Sequence, residues 1–377
     1  MTEEELKRSA YDMLYLAACA VNGVTPEAEK IDIDNLYSVS EYHSMTAICA
    51  MALEASGVTL SDKWQEVKAK AIRKNLLLDA ERAQILDYME KSGIWYMPLK
   101  GIIMKELYPK IGMRQMADND ILYDSSFQNQ LNQYMESRGY TTESVGKGAH
   151  DTYHKLPVYN FELHTKLYSE FSDKTIHDYY IDIKNRLVKD TDNNYGFHFT
   201  EEDFYIFMIA HEYKHYSGGG TGLRSLLDCF VYIKAKGDRL NLEYINAELK
   251  KLGIDEFEQE SRALAMKVLS SPTMPELTDD EREMLEYYLL SGTYGTVKNN
   301  IENNMEKLAA RTGSKSKFRY LMSRLFPGPE FFKETAPFFY RHKILLPVGW
   351  IYRAFRGVFV NGKKIRSEIR IVQNKKW

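Results

Sequence analysis

The stretch from residue 98 to residue 124 constrains the fold of this 377-residue chain more than any other. The apolar run 94–97 that precedes it has the length of one buried strand. A Lys-Gly pair at 100–101 ends that run, and residues 102–108 then predict about two turns of helix that stop at the following proline. The acidic motif in 118–123 leads into a second strand. The stretch therefore predicts a strand–turn–helix–strand unit.

The second strand of this unit begins with two carboxylates, Asp118 and Asp120. Residues i and i+2 of a strand point to the same face, so these two side chains lie together while Asn119 faces away. Two like charges at that distance repel each other and are best tolerated beside a cation. Mg²⁺ prefers one or two carboxylates together with substrate phosphates. The motif therefore predicts a site for Mg²⁺ or Mn²⁺.

The turn after the first strand has the residue types that bind phosphate. Gly101 allows a phosphate to approach the backbone, where amide N–H groups at a helix start are free to donate. Lys100 and Arg114 are placed in the sequence to neutralise phosphate charge. The unit thus predicts a phosphate-binding site as well as a metal site.

The segments LKG (99–101), LYP (107–109), Arg114 and ADNDIL (117–122) together resemble an uncharacterised nucleotidyltransferase-like family of bacteria. That family has the nucleotidyltransferase fold of the polymerase-beta type. The chain departs from better-known branches in two places: Lys100-Gly101 replaces a Gly-Ser pair, and Asn119 replaces an apolar residue. The resemblance implies an α+β protein, with a small mixed-sheet core embedded in a predominantly helical chain.

The resemblance also implies an activity: transfer of a nucleoside monophosphate from an NTP to an acceptor hydroxyl or phosphate, with Mg²⁺ or Mn²⁺. Asp118 and Asp120 would hold the metal, and Lys100, Gly101 and Arg114 would bind the triphosphate. Glu162, followed by Leu163-His164, matches an acidic residue of the family and would be the third catalytic and metal-binding carboxylate. A relative with the same fold that binds partners without catalysis is the first alternative.

A second motif, His211-Glu212-Tyr213-Lys214-His215, has the HExxH pattern of zinc peptidases. Thr221 stands where the extended form of that motif has its third histidine ligand. The resemblance favours a different interpretation, in which Lys214 reaches the nucleotide phosphates. Arg224 and Asp228, four residues apart on one helix face, are then expected to pair. A zinc metallopeptidase stays open as another alternative.

Composition, the resemblance and the positions of helix-breaking residues predict four regions: an N-terminal helical region (1–92), the nucleotidyltransferase core (93–190), a helical domain (191–325) and a C-terminal segment (326–377). Three scattered cysteines and an acidic N-terminus without an apolar run predict a cytoplasmic protein. The C-terminal segment combines aromatic residues with ten basic residues against one acidic residue from 341 onward. This basic aromatic segment predicts an anionic partner, either a membrane surface or nucleic acid.

Overall fold

The computed structural model describes residues 1–146, 148–170 and 173–374, and their side chains except at 143, 144, 334, 335, 356–367 and 374. The protein is 64% helical and has one five-stranded mixed sheet. The predicted α+β class, a small mixed sheet in a mostly helical protein, is therefore confirmed.

Helices make up most of both compact units into which the chain divides. The first unit comprises Met1–Lys214 and Thr221–Thr293, and the second comprises His215–Gly220 and Tyr294–Trp377. The helices are α1 (Glu3–Asn22), α2 (Ile33–Tyr42), α3 (Thr46–Ala55), α4 (Asp62–Lys91), α5 (Gly101–Met104), α6 (Gln128–Ser137), α7 (Lys174–Tyr179), α8 (Glu201–Tyr216), α9 (Leu223–Lys236), α10 (Leu242–Leu252), α11 (Asp255–Leu269), α12 (Asp279–Ser291), α13 (Val297–Thr312), α14 (Lys317–Leu325), α15 (Pro329–Thr335), α16 (Pro337–Arg341) and α17 (Leu346–Asn374).

The sheet belongs to the first unit and has the order β1-β2-β5-β4-β3. The strands are β1 (Tyr96–Pro98), β2 (Asn119–Tyr123), β3 (Thr141–Ser144), β4 (His150–Lys155), β5 (Tyr159–His164), and a separate pair β6 (Val188–Lys189) and β7 (Phe197–His198). Strands β2 and β5 are parallel, whereas the other neighbours in both sheets are antiparallel. The sequence also predicts a hairpin turn at 146–148, and Lys147 of that turn lies outside the described residues.

One face of the sheet forms the hydrophobic core with α4 and α6. Alternate residues of β2 and β5, such as Ile121 and Phe161, pack there against Ile85 of α4 and Leu131 of α6. Because side chains alternate along a strand, the even-numbered residues of β2 and β5 point to the opposite face. Packing of one face thus fixes which polar side chains the other face presents.

Capping explains where several predicted helices begin. The sequence predicts a capping box at Thr2 and Glu5 and a cap at Thr200. Both are present: Thr2 and Glu5 form the capping box of α1, and Thr200 accepts a hydrogen bond from the Asp203 N–H at 3.0 Å. The helix predicted over 102–108 is shorter than expected, since α5 tightens into a 3-10 turn at Lys105–Leu107 before the proline. Within the described part of the chain, no helix has both the length and the apolar character needed to cross a bilayer.

In the second unit, α13, α14 and α17 share a small core. Ile301 and Met305 of α13, Tyr320 of α14 and Val372 of α17 are buried together. Glu368 of α17 accepts hydrogen bonds from the hydroxyl of Tyr320 and from the guanidinium of Arg324 on α14. These contacts hold the C-terminal end of α17 against α14.

Candidate active site

The carboxylates predicted to hold metal meet at the parallel pair β2–β5. Asp120 of β2 lies directly opposite Glu162 of β5, and both belong to the even-numbered set that faces away from the core. Asp118 immediately precedes β2. The backbone of Asp120 is held from the other side, because its carbonyl accepts a hydrogen bond from the Leu99 N–H at 2.9 Å. The sheet therefore brings the three predicted carboxylates, Asp118, Asp120 and Glu162, to one place.

Two histidines complete this acidic group. His164 of β5 is buried, and its Nε2 lies 2.8 Å from Asp120 Oδ1 and 3.6 Å from Glu162 Oε2. His150 of β4 lies opposite His164 in the antiparallel register, and its Nε2 lies 3.5 Å from Glu162 Oε2. Sequence reasoning named His164 without a role and missed His150 altogether.

The site shifts the pKa values of its two aspartates in opposite directions. Burial raises the pKa of Asp118 to about 6, and the neighbouring charges of Asp120 and Glu162 add to this effect. Burial also opposes ionisation of Asp120, but Lys100 and the hydrogen bond from His164 outweigh it and keep the pKa of Asp120 well below its usual range. The pKa of His164 is raised, because its hydrogen bonds to Asp120 and Glu162 exceed the effect of burial. Asp118 is thus the carboxylate whose ionisation burial opposes most effectively.

Several cations surround the carboxylates. Lys100 Nζ lies 3.8 Å from Asp120 Oδ2. Arg224 of α9 acts electrostatically on Asp118. Lys214 of α8 has a lowered pKa because of desolvation and the nearby charge of Lys100, opposed by Glu162. The ammonium of Lys214 lies 5.7 Å above the Tyr168 ring.

The position of Lys100 depends on an unusual backbone conformation. Its φ is 40° and its ψ is −108°, in a region that favours glycine. The conformation lets the Lys100 carbonyl accept hydrogen bonds from the N–H groups of Ile103 and Met104 at the start of α5. Strained residues of this kind cluster at functional sites, where the surrounding structure enforces them. The strained backbone at Lys100 thus supports a functional role for this turn, independently of the carboxylates.

Arg114 forms an ion pair that the sequence did not predict. Its Nε and Nη2 donate to the two oxygens of Asp228 at 2.9 and 2.8 Å, and the Tyr108 hydroxyl donates to Asp228 Oδ1 at 2.7 Å. The expected pair between Arg224 and Asp228 is therefore wrong, and Arg224 instead donates to the Gln115 carbonyl. The bidentate pair occupies the Nε–Nη2 edge of the Arg114 guanidinium, and the contact of Arg114 with a triphosphate stays a prediction.

The need for glycine at position 101 has a packing reason. Gly101 is buried, and a Cβ there would lie 2.8 Å from Arg114 Nη1 and 2.9 Å from Met116 Cε. A side chain would push against the ion pair between Arg114 and Asp228. The contact of Gly101 with phosphate stays a prediction.

Asn119, the second residue at which the chain departs from the better-known branches, has a hydrogen-bond partner nearby. Asn119 is fully buried on the core side of β2, and its Oδ1 accepts a hydrogen bond from Arg82 of α4 at 2.7 Å. The prediction that Asn119 faces away from the two aspartates agrees with this placement. The polar residue ties β2 to α4.

The HExxH motif lacks the arrangement of a zinc peptidase. Glu212 is buried and accepts hydrogen bonds from the hydroxyls of Tyr288 at 2.6 Å and Ser261 at 3.4 Å. Among the described residues, the one close group of three metal-binding side chains is His150, Glu162 and His164, which contains no member of the motif. Glu212 is therefore a buried structural acid rather than a base at a metal site.

Burial raises the pKa of Glu212 to about 7. In the unfolded chain its pKa is near 4.5, so the folded state retains a proton that the unfolded state loses, and this group lowers stability as pH rises from about 4.5 to 7. Glu212→Gln keeps the hydrogen-bond acceptor without the charge. We expect the substitution to stabilise the protein more at pH 8 than at pH 5, with a difference of roughly 1–3 kcal/mol in unfolding free energy. Urea unfolding at both pH values measures this; an equal change at both would contradict it.

The donor set of the site fits a hard divalent cation. Three carboxylates converge, and the raised pKa of Asp118 reflects its burial beside the two other acids. Oxygen ligands of this kind are those that Mg²⁺ and Mn²⁺ take in proteins. Asp118, Asp120 and Glu162 would hold the ion.

A comparison with models of protein families identifies the family of this chain. A family model described as an uncharacterised nucleotidyltransferase matches residues 29–270, which is well over half of the chain and includes every site residue described above. The chain belongs to this family. Searches of curated proteins and of solved structures returned no match. Membership in the nucleotidyltransferase family supports nucleotidyl transfer as the general activity and nucleotides as substrates.

Proposed function

We propose that this nucleotidyltransferase-family protein moves a nucleoside monophosphate from an NTP to an acceptor in a metal-dependent reaction. The observation that carries the proposal is the register of β2 and β5, which sets Asp120 opposite Glu162 beside Asp118. Carboxylates on adjacent strands, bordered by cations, form a site for a metal–triphosphate complex. The family match supports the same class of reaction.

The carboxylates have distinct roles in this proposal. Asp118 and Asp120 hold Mg²⁺ or Mn²⁺, which supplies charge stabilisation for the phosphates when it is bound. Binding of the ion keeps Asp118 ionised, because an added positive charge lowers the pKa that burial has raised. Glu162 completes the metal ligands and accepts the proton of the acceptor.

The cations around the carboxylates bind the triphosphate. Lys100 and Lys214 approach from the turn after β1 and from α8, and Arg224 approaches from α9. Arg224 replaces Arg114 in this proposal, because Arg114 is engaged by Asp228. Three cations near three carboxylates provide the two kinds of charge that a metal–triphosphate complex requires.

The bond changes follow from these positions. The acceptor oxygen forms a bond to the α-phosphorus, and the bond from that phosphorus to the α–β bridging oxygen breaks. The electron pair leaves with pyrophosphate, and the acceptor proton passes to Glu162. Preorganised positive charge at Lys100, Lys214 and Arg224 stabilises the charge that develops on the phosphates.

Phosphorus NMR tests the reaction class. The full-length protein is incubated with each NTP, Mg²⁺ and a mixture of small metabolites, RNA and protein acceptors. We expect pyrophosphate to form with at least one NTP, and Glu162→Gln to slow its formation by at least about hundredfold. Glu136→Gln, on α6, is a control outside the site. Release of inorganic phosphate and a nucleoside diphosphate would instead indicate phosphoryl transfer.

We also propose an anionic lipid surface as the partner of the basic aromatic segment. Val348, Ile351, Tyr352 and Phe355 of α17 lie at helical spacing, and each is at least half exposed. An exposed apolar stripe on a segment with ten basic residues and one acidic residue from 341 onward suits an anionic bilayer better than nucleic acid.

Vesicle co-sedimentation tests this partner. We expect binding to phosphatidylcholine vesicles that contain phosphatidylserine and little binding to phosphatidylcholine alone, because apolar insertion and charge act together. Ile351→Glu should reduce binding at least about tenfold, whereas Leu156→Glu, at a residue 92% exposed in the first unit, should not. Equal binding of both variants, or a preference for RNA over the anionic vesicles, would contradict the proposal.

A further inference from the structure

We infer that His150, Glu162 and His164 form a binding site for a transition-metal ion such as Zn²⁺, distinct from the Mg²⁺ position at Asp118 and Asp120. One ligand atom from each of the three residues lies within 4.8 Å of the others. The inference does not rest on nucleotidyl transfer, because the three side chains are in place without a nucleotide.

The donor types favour a transition metal over Mg²⁺. Two imidazole nitrogens and one carboxylate are ligands that suit zinc and its neighbours, whereas Mg²⁺ takes oxygen ligands and keeps several waters. The adjacent Asp118–Asp120 pair has only oxygen donors. The two halves of the site therefore differ in chemistry, and Glu162 belongs to both.

The separations also suit zinc. His150 Nε2 and His164 Nε2 lie 3.5 and 3.6 Å from Glu162 Oε2. Ligand atoms about 2.0–2.1 Å from a tetrahedral ion are about 3.3–3.4 Å apart, whereas octahedral Mg²⁺ brings neighbouring ligands to about 2.9 Å. Two of the three separations are thus near the tetrahedral value, and all three are within 4.8 Å, so the two imidazoles would close on the ion by small side-chain movements.

The backbone presents the three residues in a rigid arrangement. His150 and His164 are direct cross-strand partners of the antiparallel pair β4–β5, and Glu162 is two residues before His164 on the same face. His164 is buried, whereas the side chains of His150 and Glu162 are 39% and 25% exposed, so an ion can enter from their side. Three protein ligands with an open side is the pattern of a zinc site that binds water or substrate.

His164 would bind the ion through Nε2, the nitrogen that lies 3.6 Å from Glu162 Oε2. In the metal-free protein the same Nε2 lies 2.8 Å from Asp120 Oδ1, so the ion would take the place of that hydrogen bond. The other ring nitrogen, Nδ1, is buried and has no hydrogen-bond partner among the residues described, so within that part of the chain no hydrogen bond at Nδ1 holds the ring in its present position.

Metal titration of the full-length protein tests the inference without measuring activity. The protein is stripped with chelator and titrated with Zn²⁺ by calorimetry and with Co²⁺ by visible absorption. We expect one ion per chain, a Co²⁺ spectrum of low coordination number, and Zn²⁺ affinity well above Mg²⁺ affinity. His150→Ala should weaken Zn²⁺ binding at least about tenfold. His154→Ala, on the same strand and outside the group, should leave it unchanged.

The outcomes separate this inference from the proposed function. Equal Zn²⁺ affinity in wild type and His150→Ala, or no Zn²⁺ binding at all, overturns the metal site whatever the nucleotide experiments give. Specific Zn²⁺ binding that His150→Ala weakens supports it, even if no NTP binds.

Discussion

Asp118→Asn should stabilise the metal-free protein and at the same time remove its Mg²⁺-dependent nucleotide binding. Burial raises the pKa of Asp118 to about 6, with support from Asp120 and Glu162. Its pKa in the unfolded chain is near 3.8, so this group lowers stability as pH rises from about 4 to 6. At pH 8 the asparagine variant should gain roughly 1–3 kcal/mol in unfolding free energy.

Asp120→Asn is the matched comparison. Lys100 and His164 hold the pKa of Asp120 well below its usual range, so its charge stabilises the fold above pH 4. The variant should therefore lose stability at pH 8, and it should also lose Mg²⁺-dependent binding. Urea unfolding without metal measures both variants, and loss of stability in Asp118→Asn would contradict the account of the site.

Asp228→Asn should be among the most destabilising single changes in the first unit. Arg114 and Asp228 are buried, with side chains 11% and 10% exposed, and they form a bidentate pair that Tyr108 joins. Removal of one partner leaves the Arg114 charge buried without compensation. We expect a loss of about 3–5 kcal/mol in unfolding free energy.

The exposed pair between Glu66 and Lys70 provides a control for Asp228→Asn. Both of its side chains are mostly exposed, so Glu66→Gln should change the unfolding free energy by less than about 1 kcal/mol. Urea unfolding of the two variants under one set of conditions gives the comparison. Similar small losses in both variants would show that the Arg114–Asp228 pair has no structural importance.

Local pattern predicted the parts of the site that lie on single strands. The two-residue spacing of Asp118 and Asp120, and that of Glu162 and His164, fixes which side chains share a face, and the structure brings Asp120 and Glu162 opposite each other. Helix starts with a capping residue, such as Thr2, were predictable for the same reason, because the signal lies within one turn.

Contacts between segments that are distant in the sequence could not be predicted from local residue patterns. His150 enters the site through the register of β4 with β5, which depends on the turn at 156–158 rather than on any motif. Arg114 pairs with Asp228 of α9, more than a hundred residues away, whereas the four-residue spacing on one helix suggested Arg224. Which charges pair depends on how α9 packs near the turn after β1. The local spacing of residues does not determine that packing.

The central claim is that Asp118 and Asp120 bind a metal–nucleotide complex. Calorimetric titration of ATP, GTP, CTP and UTP, each with and without Mg²⁺, should give metal-dependent binding of at least one nucleotide to the wild-type protein. The double variant Asp118→Asn/Asp120→Asn should abolish that binding, and Asp87→Asn, at an exposed position of α4, should preserve it. Nucleotide binding that persists in the folded double variant, or no metal-dependent binding by the wild type, would contradict the claim.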